Sequence, residues 1–306
     1  MTEVRHARVP EGLDGMRLDS ALSKMFGFSR SAAVEIISSG GVDYAGQIAD
    51  KAERVVAGAE IRVEWKPKEP VRVTETPVSD LTVVYDDDDL VVVDKPAGVA
   101  AHPSVGWTGP TVLGALLAAG FTVSTSGASE RTGIVHRLDA GTSGLMVVAK
   151  SELAYSALKL AFRNHDVEKI YHAVVQGHPD PSAGTIDAPI GRHPRHQFKF
   201  AVTSDGKPSV THYSTIEAFP AASLLEIVLE TGRTHQIRVH MAAQRHPCVG
   251  DGMYGADPKL SATCGLTRQW LHATRLSFAH PRTSQTMTFE SRYPHDLSHA
   301  LDVLRG

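Results

Sequence analysis

The chain has 306 residues, 42% hydrophobic and 21% charged, which is enough to bury a full core and unlike a disordered segment. Its formal net charge is −3, so no overall positive field holds nucleic acid, and any such contact must come from local patches. Two cysteines, Cys248 and Cys264, have neither metal-ligand nor redox-pair spacing, which argues against a zinc site or disulfide scaffold and for a reducing, cytoplasmic setting.

The opening residues carry no apolar run of signal-peptide type, and no later stretch approaches the length of a membrane span. Leu18, Ala21, Leu22 and Met25 recur at helical spacing; Ser29 then caps a second helix with Ala32, Ala33, Ile36 and Ile37, ending at Gly40 and Gly41. Short strands follow at 42–44 and 61–65 around a turn at Ala45 and Gly46, giving a small α+β module over 13–66. Prolines and alternating charges in KPKEPVRVTETP break the pattern, and a linker is placed at 67–79. Beyond it, over 80–306, strands are expected at 81–85, 90–94, 133–138, 145–149, 169–176, 209–217 and 224–230. Helices are expected near 110–119, 151–164 and 234–244, with Ser151 capping the middle one. The interleaving gives an α+β class: a mixed, largely antiparallel sheet with helices packed on it.

Four stretches carry residues suited to chemistry. In GIVHRLDAGTSGLMVVAKS, Asp139 sits where an apolar run meets a glycine turn, and Arg137 shares its strand face if the strand extends that far. An aspartate there is either a turn residue accepting backbone hydrogen bonds or a carboxylate kept ionised by a nearby guanidinium. In ETGRTHQIRVHMAAQRHP, Arg233, His235, Arg238 and His240 crowd the start of a helix, against its dipole. That cluster is either a solvated basic face or the seat of a phosphate, an RNA or an acidic side chain. Tyr171, in EKIYHAVVQG, is a core residue or a ring that stacks on a base. The segment 191–212 sets Arg192, Arg195, Lys199 and Lys207 among Phe198 and Phe200, a pattern suited to single-stranded RNA. By contrast, the four carboxylates Asp86 to Asp89 cannot converge on one ion and are read as a solvated turn, and DKPAG at 94–98 as a turn leaving a strand. No phosphate-binding glycine loop or dinucleotide fingerprint occurs, so kinase, ATPase and dehydrogenase readings drop out.

Taken together, HRLDAGTSGLMVVAK at 136–150, KIYHAVVQG at 169–177, GKPSVTHY at 206–213, TGRTHQIRVHMA at 231–242, HPCVGDGMYG at 246–255 and LHATRLSFAHP at 271–281 resemble the RluA/RluD family of RNA pseudouridine synthases. The stretch RLDSALSKMFGFSRSAAVEIISSGGVDYAGQ resembles the alpha-L RNA-binding domain that precedes the catalytic domain in the RluD-like branch. The resemblance implies isomerisation of specific uridines to pseudouridine in large-subunit (23S) ribosomal RNA, after base flipping, with no cofactor and no metal. It implies that Asp139 is the catalytic aspartate, acting at C1′ or on a ribose proton, that Arg238 pairs with it, and that Tyr171 stacks on the flipped base. Arg137, Leu271, Arg192, Arg195 and Arg233 are then substrate contacts, and Arg17, Lys24 and Arg30 an RNA-reading face of the N-terminal module. The family frequently has a charged and then an acidic residue where this chain has Ala140 and Gly141, a departure that bears on target choice. The partner implied is ribosomal RNA or an assembling large subunit, with no membrane and a monomeric protein. Transfer RNA as substrate, a non-catalytic ribosome-assembly role, and a hydrolase built on Asp139 and His136 are the alternatives.

Overall fold

The computed structural model describes residues 2–50, 53–66, 73–104, 106–128, 130–196 and 198–306. Contacts divide the chain into two units, Met1–Pro70 and Val71–Gly306. Of the expected linker, 67–72 lies outside the described residues. The remainder is not free chain: Val73 and Val78 pack against the core of the second unit, and the Thr76 amide donates to the Gly114 carbonyl at 3.3 Å.

In the first unit, β1 (Glu3–Arg8), β4 (Glu60–Trp65), β2 (Val42–Tyr44) and β3 (Gln47–Ile48) form an antiparallel sheet in that order, with α1 (Leu18–Phe26) and α2 (Arg30–Ser38) on it. The expected apolar stripe is the one buried: Leu18, Ala21, Leu22, Ala33, Ile36 and Ile37 all join the core. Ser29 caps α2 by accepting from the Ala32 amide. Strand β1 was not expected; its EVRHAR alternation is mostly charged, and its side chains are largely exposed.

The second unit is a large mixed sheet. Its strands are β5 (Thr82–Asp86), β6 (Leu90–Lys95), β7 (Ser143–Ala149), β8 (Glu168–Gln176), β9 (Ala183–Asp187), β12 (Val210–Ala218), β13 (Ala222–Leu229), β14 (Leu271–Ala279) and β15 (Thr286–Glu290). They run in the order β5-β6-β7-β14-β8-β13-β12-β9, with β15 paired to β14. Pairing is antiparallel except between β7 and β14, which run parallel through Ser143 with His272 and Gly144 with Ala273. A separate hairpin joins β10 (Ile190–Arg192) and β11 (Phe200–Val202). The helices are α3 (Val112–Ala118), α4 (Glu152–Asn164), α5 (Gln236–Ala243), α6 (Pro258–Thr263) and α7 (His295–Arg305). The Ser151 cap on α4 forms as expected, accepting from the Ala154 amide.

Two expectations fail. Residues 133–138 are not a strand: only Ile134 bridges, to Val148, and the rest of the segment is irregular loop. Its apolar spacing is satisfied by packing, since Ile134 and Leu138 enter the core without a hydrogen-bond ladder. Nor is Asp86 to Asp89 a solvated turn throughout: Asp86 and Asp88 are exposed, but Asp87 and Asp89 are held by the protein. Asp89 is buried and takes two bonds from Arg282 and one from the Ser151 hydroxyl, while Asp87 accepts the Asp89 and Leu90 amides, the Tyr85 hydroxyl and His280. Those partners hold the Asp87 carboxyl down at about 2 against the opposing effect of burial.

Gly144 is where β7 meets β14, with φ +114° and a Cβ position only 2.3 Å from the Ala273 carbonyl oxygen. Gly144→Ala is expected to cost at least about 2 kcal/mol, from a backbone region L residues avoid plus a clash with a paired strand. In a thermal melt that is a fall of about 4 °C or more in the midpoint; an unchanged midpoint would contradict the tight parallel junction.

Candidate active site

Asp139 lies in the turn entering β7, closed by the Thr142 amide donating to the Asp139 carbonyl at 3.0 Å. The turn is clamped from two sides. The Ala140 carbonyl accepts from the Gly98 amide at 2.8 Å and from Lys95 Nζ at 3.3 Å. From the segment just before β14, Arg268 donates to the Gly141 carbonyl at 3.1 Å and Gln269 to the Thr142 hydroxyl at 3.2 Å. Lys95, at the end of β6, is fully buried; it also donates to the Pro96 and Val99 carbonyls, at 2.9 and 2.8 Å. Burial pushes its ammonium down to about 7, against the pull of the Asp139 charge. Gly141 sits so close to Gln269 that a Cβ would approach that side chain to 2.7 Å, so a larger residue here requires Gln269 to move.

The guanidinium that reaches Asp139 comes from the first turn of α5. Gln236 fixes that helix start: its Oε1 accepts from the Arg233 amide and the Thr231 hydroxyl, and its Nε2 donates to the Val210 carbonyl and Thr211 hydroxyl, all within 2.9 Å. Arg238 is buried, donates from Nη1 to Asp139 Oδ2 at 3.1 Å, and spans both oxygens of Asp251, at 2.6 Å from Nε and 2.9 Å from Nη2. Burial opposes its charge, but the hydrogen bonds and charges of Asp251 and Asp139 outweigh that and raise its pKa above the usual value. The unfavourable cation at a helix start is thus answered by two carboxylates. At the N-cap, burial depresses the pKa of His235 and so disfavours a further charge at that helix start, while His240 lies in the last turn, bonded to Thr211 and the Ala188 carbonyl.

Tyr254 completes the frame. Its ring lies 5.0 Å from the Arg238 guanidinium carbon, its oxygen accepts from the Phe200 amide at 3.1 Å, and it bonds His235 Nδ1 at 2.8 Å. His235 Nε2 then faces Asp139 Oδ2 at 3.9 Å. Among the described residues Asp139 Oδ1 has no hydrogen-bond partner.

These groups open on a narrow pocket of about 70 Å³, lined by Arg137, Asp139, Tyr171, Arg233, Arg238 and Leu271 among others. Tyr171 belongs to the core and also presents itself to the pocket, and burial, reinforced by the Asp139 charge, raises its hydroxyl pKa. Arg137 and Arg233 are exposed at the rim. Arg192 lies over the Phe200 ring at 4.9 Å, and Phe200 meets His235 edge-on, so β11 reaches the pocket wall. Arg195 sits outside that wall, in the β10–β11 connection. In the first unit Arg17 and Arg30 converge on buried Asp19, at 3.1 and 3.5 Å, while Lys24 is exposed in the last turn of α1. His136 belongs to no Asp139 pair: its Nε2 accepts the Val147 amide at 2.9 Å, and burial lowers its pKa to about 3.

Residues 89–243 match the RNA pseudouridylate synthase family and residues 16–61 match the S4 domain. The chain belongs to the RNA pseudouridine synthase family. A Mycobacterium bovis protein named as an uncharacterized RNA pseudouridine synthase is 59% identical over 99% of this chain and 98% of its own. The ribosomal large subunit pseudouridine synthase D of a Neisseria meningitidis serogroup A strain is 43% identical over 97% of this chain and 81% of its own. Among solved structures, human RNA pseudouridylate synthase domain containing 1 shares the fold at a TM-score of 0.56 and 29% identity, over 72% of this chain and 86% of that one.

For this pseudouridine synthase, three of the groups that hold the pocket escape a reading by residue type. Asp251 lies in the VGDG turn, Tyr254 three residues on, and Lys95 in DKPAG; the only local signal is a charged or aromatic residue beside glycine or proline. Asp251→Asn leaves Arg238 buried with one carboxylate in place of two, and is expected to lower the unfolding free energy by about 3 kcal/mol in denaturant melts. Glu217→Gln, at the exposed pair with Arg305, is expected to change it little. Equal effects of the two would contradict the role given to the buried Asp251–Arg238 pair.

Proposed function

We propose that this enzyme isomerises uridine to pseudouridine in large-subunit ribosomal RNA, with Asp139 as the reacting carboxylate, Arg238 as its partner and Tyr171 as the platform for the flipped base. The observation that carries this reading is the division of labour within one carboxylate. Oδ2 is tied to Arg238, and Oδ1 is left without a partner at a pocket floored by an aromatic ring.

The reaction breaks the bond from C1′ to N1, turns the uracil, and joins C1′ to C5; the C5 proton departs and N1 gains one. Two routes give Asp139 a role, attack on C1′ or removal of a ribose proton, and both need an ionised oxygen held still beside the sugar. Arg238 supplies the countercharge and Asp251 fixes Arg238, so little reorganisation remains when charge develops. Unstacking the target costs a few kcal/mol, which stacking on Tyr171 and phosphate contacts to Arg137 and Arg233 offset. His235 keeps the rear of the carboxylate in place through Tyr254.

The large-subunit target rests on relatives named for it, one of them 43% identical over nearly the whole chain. The S4 unit supplies a second contact with that RNA, through the face bearing Arg17, Lys24 and Arg30. On this reading the protein works in the cytoplasm, at subunit assembly, and we propose that it acts there as a monomer.

Asp139→Asn keeps the volume of the side chain and removes its charge. It is expected to lose conversion by at least about a thousandfold while RNA affinity stays within several-fold. Pseudouridine mapping of total RNA from cells lacking the protein, re-expressing wild type or Asp139→Asn, checks the conversion and the target, and filter binding of the purified proteins checks the affinity. Loss and wild-type-only recovery of a large-subunit pseudouridine is the expected result; recovery by Asp139→Asn, or a missing site in transfer RNA alone, would contradict it.

A further inference from the structure

A second groove of about 470 Å³ opens beside the catalytic pocket, and Arg137, Tyr171, Leu229, Gly232 and Arg233 line both. Its remaining wall carries Arg131, Arg163 and Lys169, and no carboxylate is among its described lining residues. Two of these cations, Arg131 and Lys169, stand on segments that also build the pocket, and Arg163 comes from α4 beside them. Lys169 and Tyr171 lie two apart on β8 and share a face. Arg131 begins the loop that ends at Asp139, and Arg163 stands in the last turn of α4. Between them Phe162 stacks on the His136 ring, with centroids 4.5 Å apart and planes at 18°, and Lys169 Nζ lies 5.9 Å from its ring centre.

Elsewhere in this unit Arg238, Arg268, Arg275, Arg282 and Arg305 each sit on a carboxylate. Among the described residues Arg131, Arg137, Arg163 and Lys169 form no such pair. Lys169 is buried all the same, and burial depresses its pKa; His102 is depressed too, by burial and by the charges of Arg137 and Arg131, which outweigh its Pro103 hydrogen bond and the charge of Glu130. Like charges gathered in one concave wall repel one another and focus a positive potential, an arrangement that an anion relieves.

We propose that this groove is a second substrate subsite, which holds consecutive phosphodiester groups of the RNA strand leading away from the flipped uridine. The inference rests on reading the adjoining pocket as the uridine site. Arg137 and Arg233, at the junction, take the phosphates of the flipped nucleotide, and Arg131 and Arg163 take those that follow. A guanidinium meets a phosphate with two parallel bonds, so the wall fixes the strand's path as well as its charge. Affinity for RNA in this otherwise acidic protein is thereby concentrated next to the reacting carboxylate.

The test uses the full chain and an unmodified transcript of large-subunit ribosomal RNA, with filter binding between 50 and 300 mM salt. Both exposed arginines are replaced together, as Arg131→Gln with Arg163→Gln. The double variant is expected to bind about tenfold more weakly at about 100 mM salt, and the slope of log affinity against log salt to shrink by about 1.4, near 0.7 for each phosphate that is no longer neutralised. Arg131→Lys with Arg163→Lys is expected to recover the slope, since the charge remains. Arg305→Gln, far in the fold from the groove, is expected to bind as wild type. An unchanged slope, with an affinity within twofold of wild type, for the Gln pair would overturn the subsite. Conversion by Asp139→Asn, measured on the same RNA, separates the two failures: activity there sinks the catalytic reading, whereas an inactive Asp139→Asn beside an unmoved salt slope sinks the groove alone.

Discussion

A single buried cation organises the centre of this enzyme. Arg238 is out of water, and a guanidinium in that position is stable only if carboxylates replace the lost hydration. Asp251 supplies two bonds and Asp139 a third, so the trio carries a net negative charge that resides at the pocket rather than in the core. The geometry follows from that requirement. Asp139 must stand where Arg238 can reach it, which fixes the turn before β7 against the first turn of α5, ninety-nine residues later in sequence.

Much of the rest of the large unit serves to keep these two ends from drifting. Lys95 and Gly98 hold the Asp139 turn from the β6 side, Arg268 and Gln269 hold it from the β14 side, and the parallel step at Gly144 leaves no slack between β7 and β14. On the opposite bank, Gln236 locks the helix start, and Tyr254 ties Arg238, His235 and Phe200 into one packed group. The aspartate therefore approaches the substrate preorganised, which is the condition under which a fixed charge lowers a barrier rather than merely binding its ligand.

Local physics made the regular elements readable: the stripe of Leu18, Ala21 and Leu22, the Ser29 and Ser151 caps, and the apolar runs of β6, β7, β8 and β13 all lie where residue pattern alone places them. It misled at 133–138, where a loop that buries Ile134 and Leu138 has the same spacing as a strand. The strands β10 and β11, three residues each and paired as strands only with one another, are too short to leave an alternation that composition reveals. Asp139, Tyr171 and Arg238 stood out through a turn, an alternation and a crowded helix start, and the pocket unites them. Asp251 and Lys95 did not, because a buried charge is recognised by what it touches, and neither the Arg238 guanidinium on Asp251 nor the Ala140 carbonyl on Lys95 is foreshadowed by the residues beside them. The acidic run at 86–89 shows the converse: an ordinary-looking turn becomes a structural knot once Arg282, Ser151 and His280 arrive.

The central claim is that one carboxylate, restrained through Oδ2, faces the sugar of an everted uridine with the other oxygen. A crystal structure with an RNA whose target uridine carries fluorine at C5 tests it most directly, because fluorine cannot leave as a proton from the carbon that C1′ joins. The account predicts the altered base lying against the Tyr171 ring, C1′ in contact with Asp139 Oδ1, and the bond from Arg238 to Oδ2 intact. A base bound away from Tyr171, or an Asp139 swung off Arg238 in the complex, would contradict it.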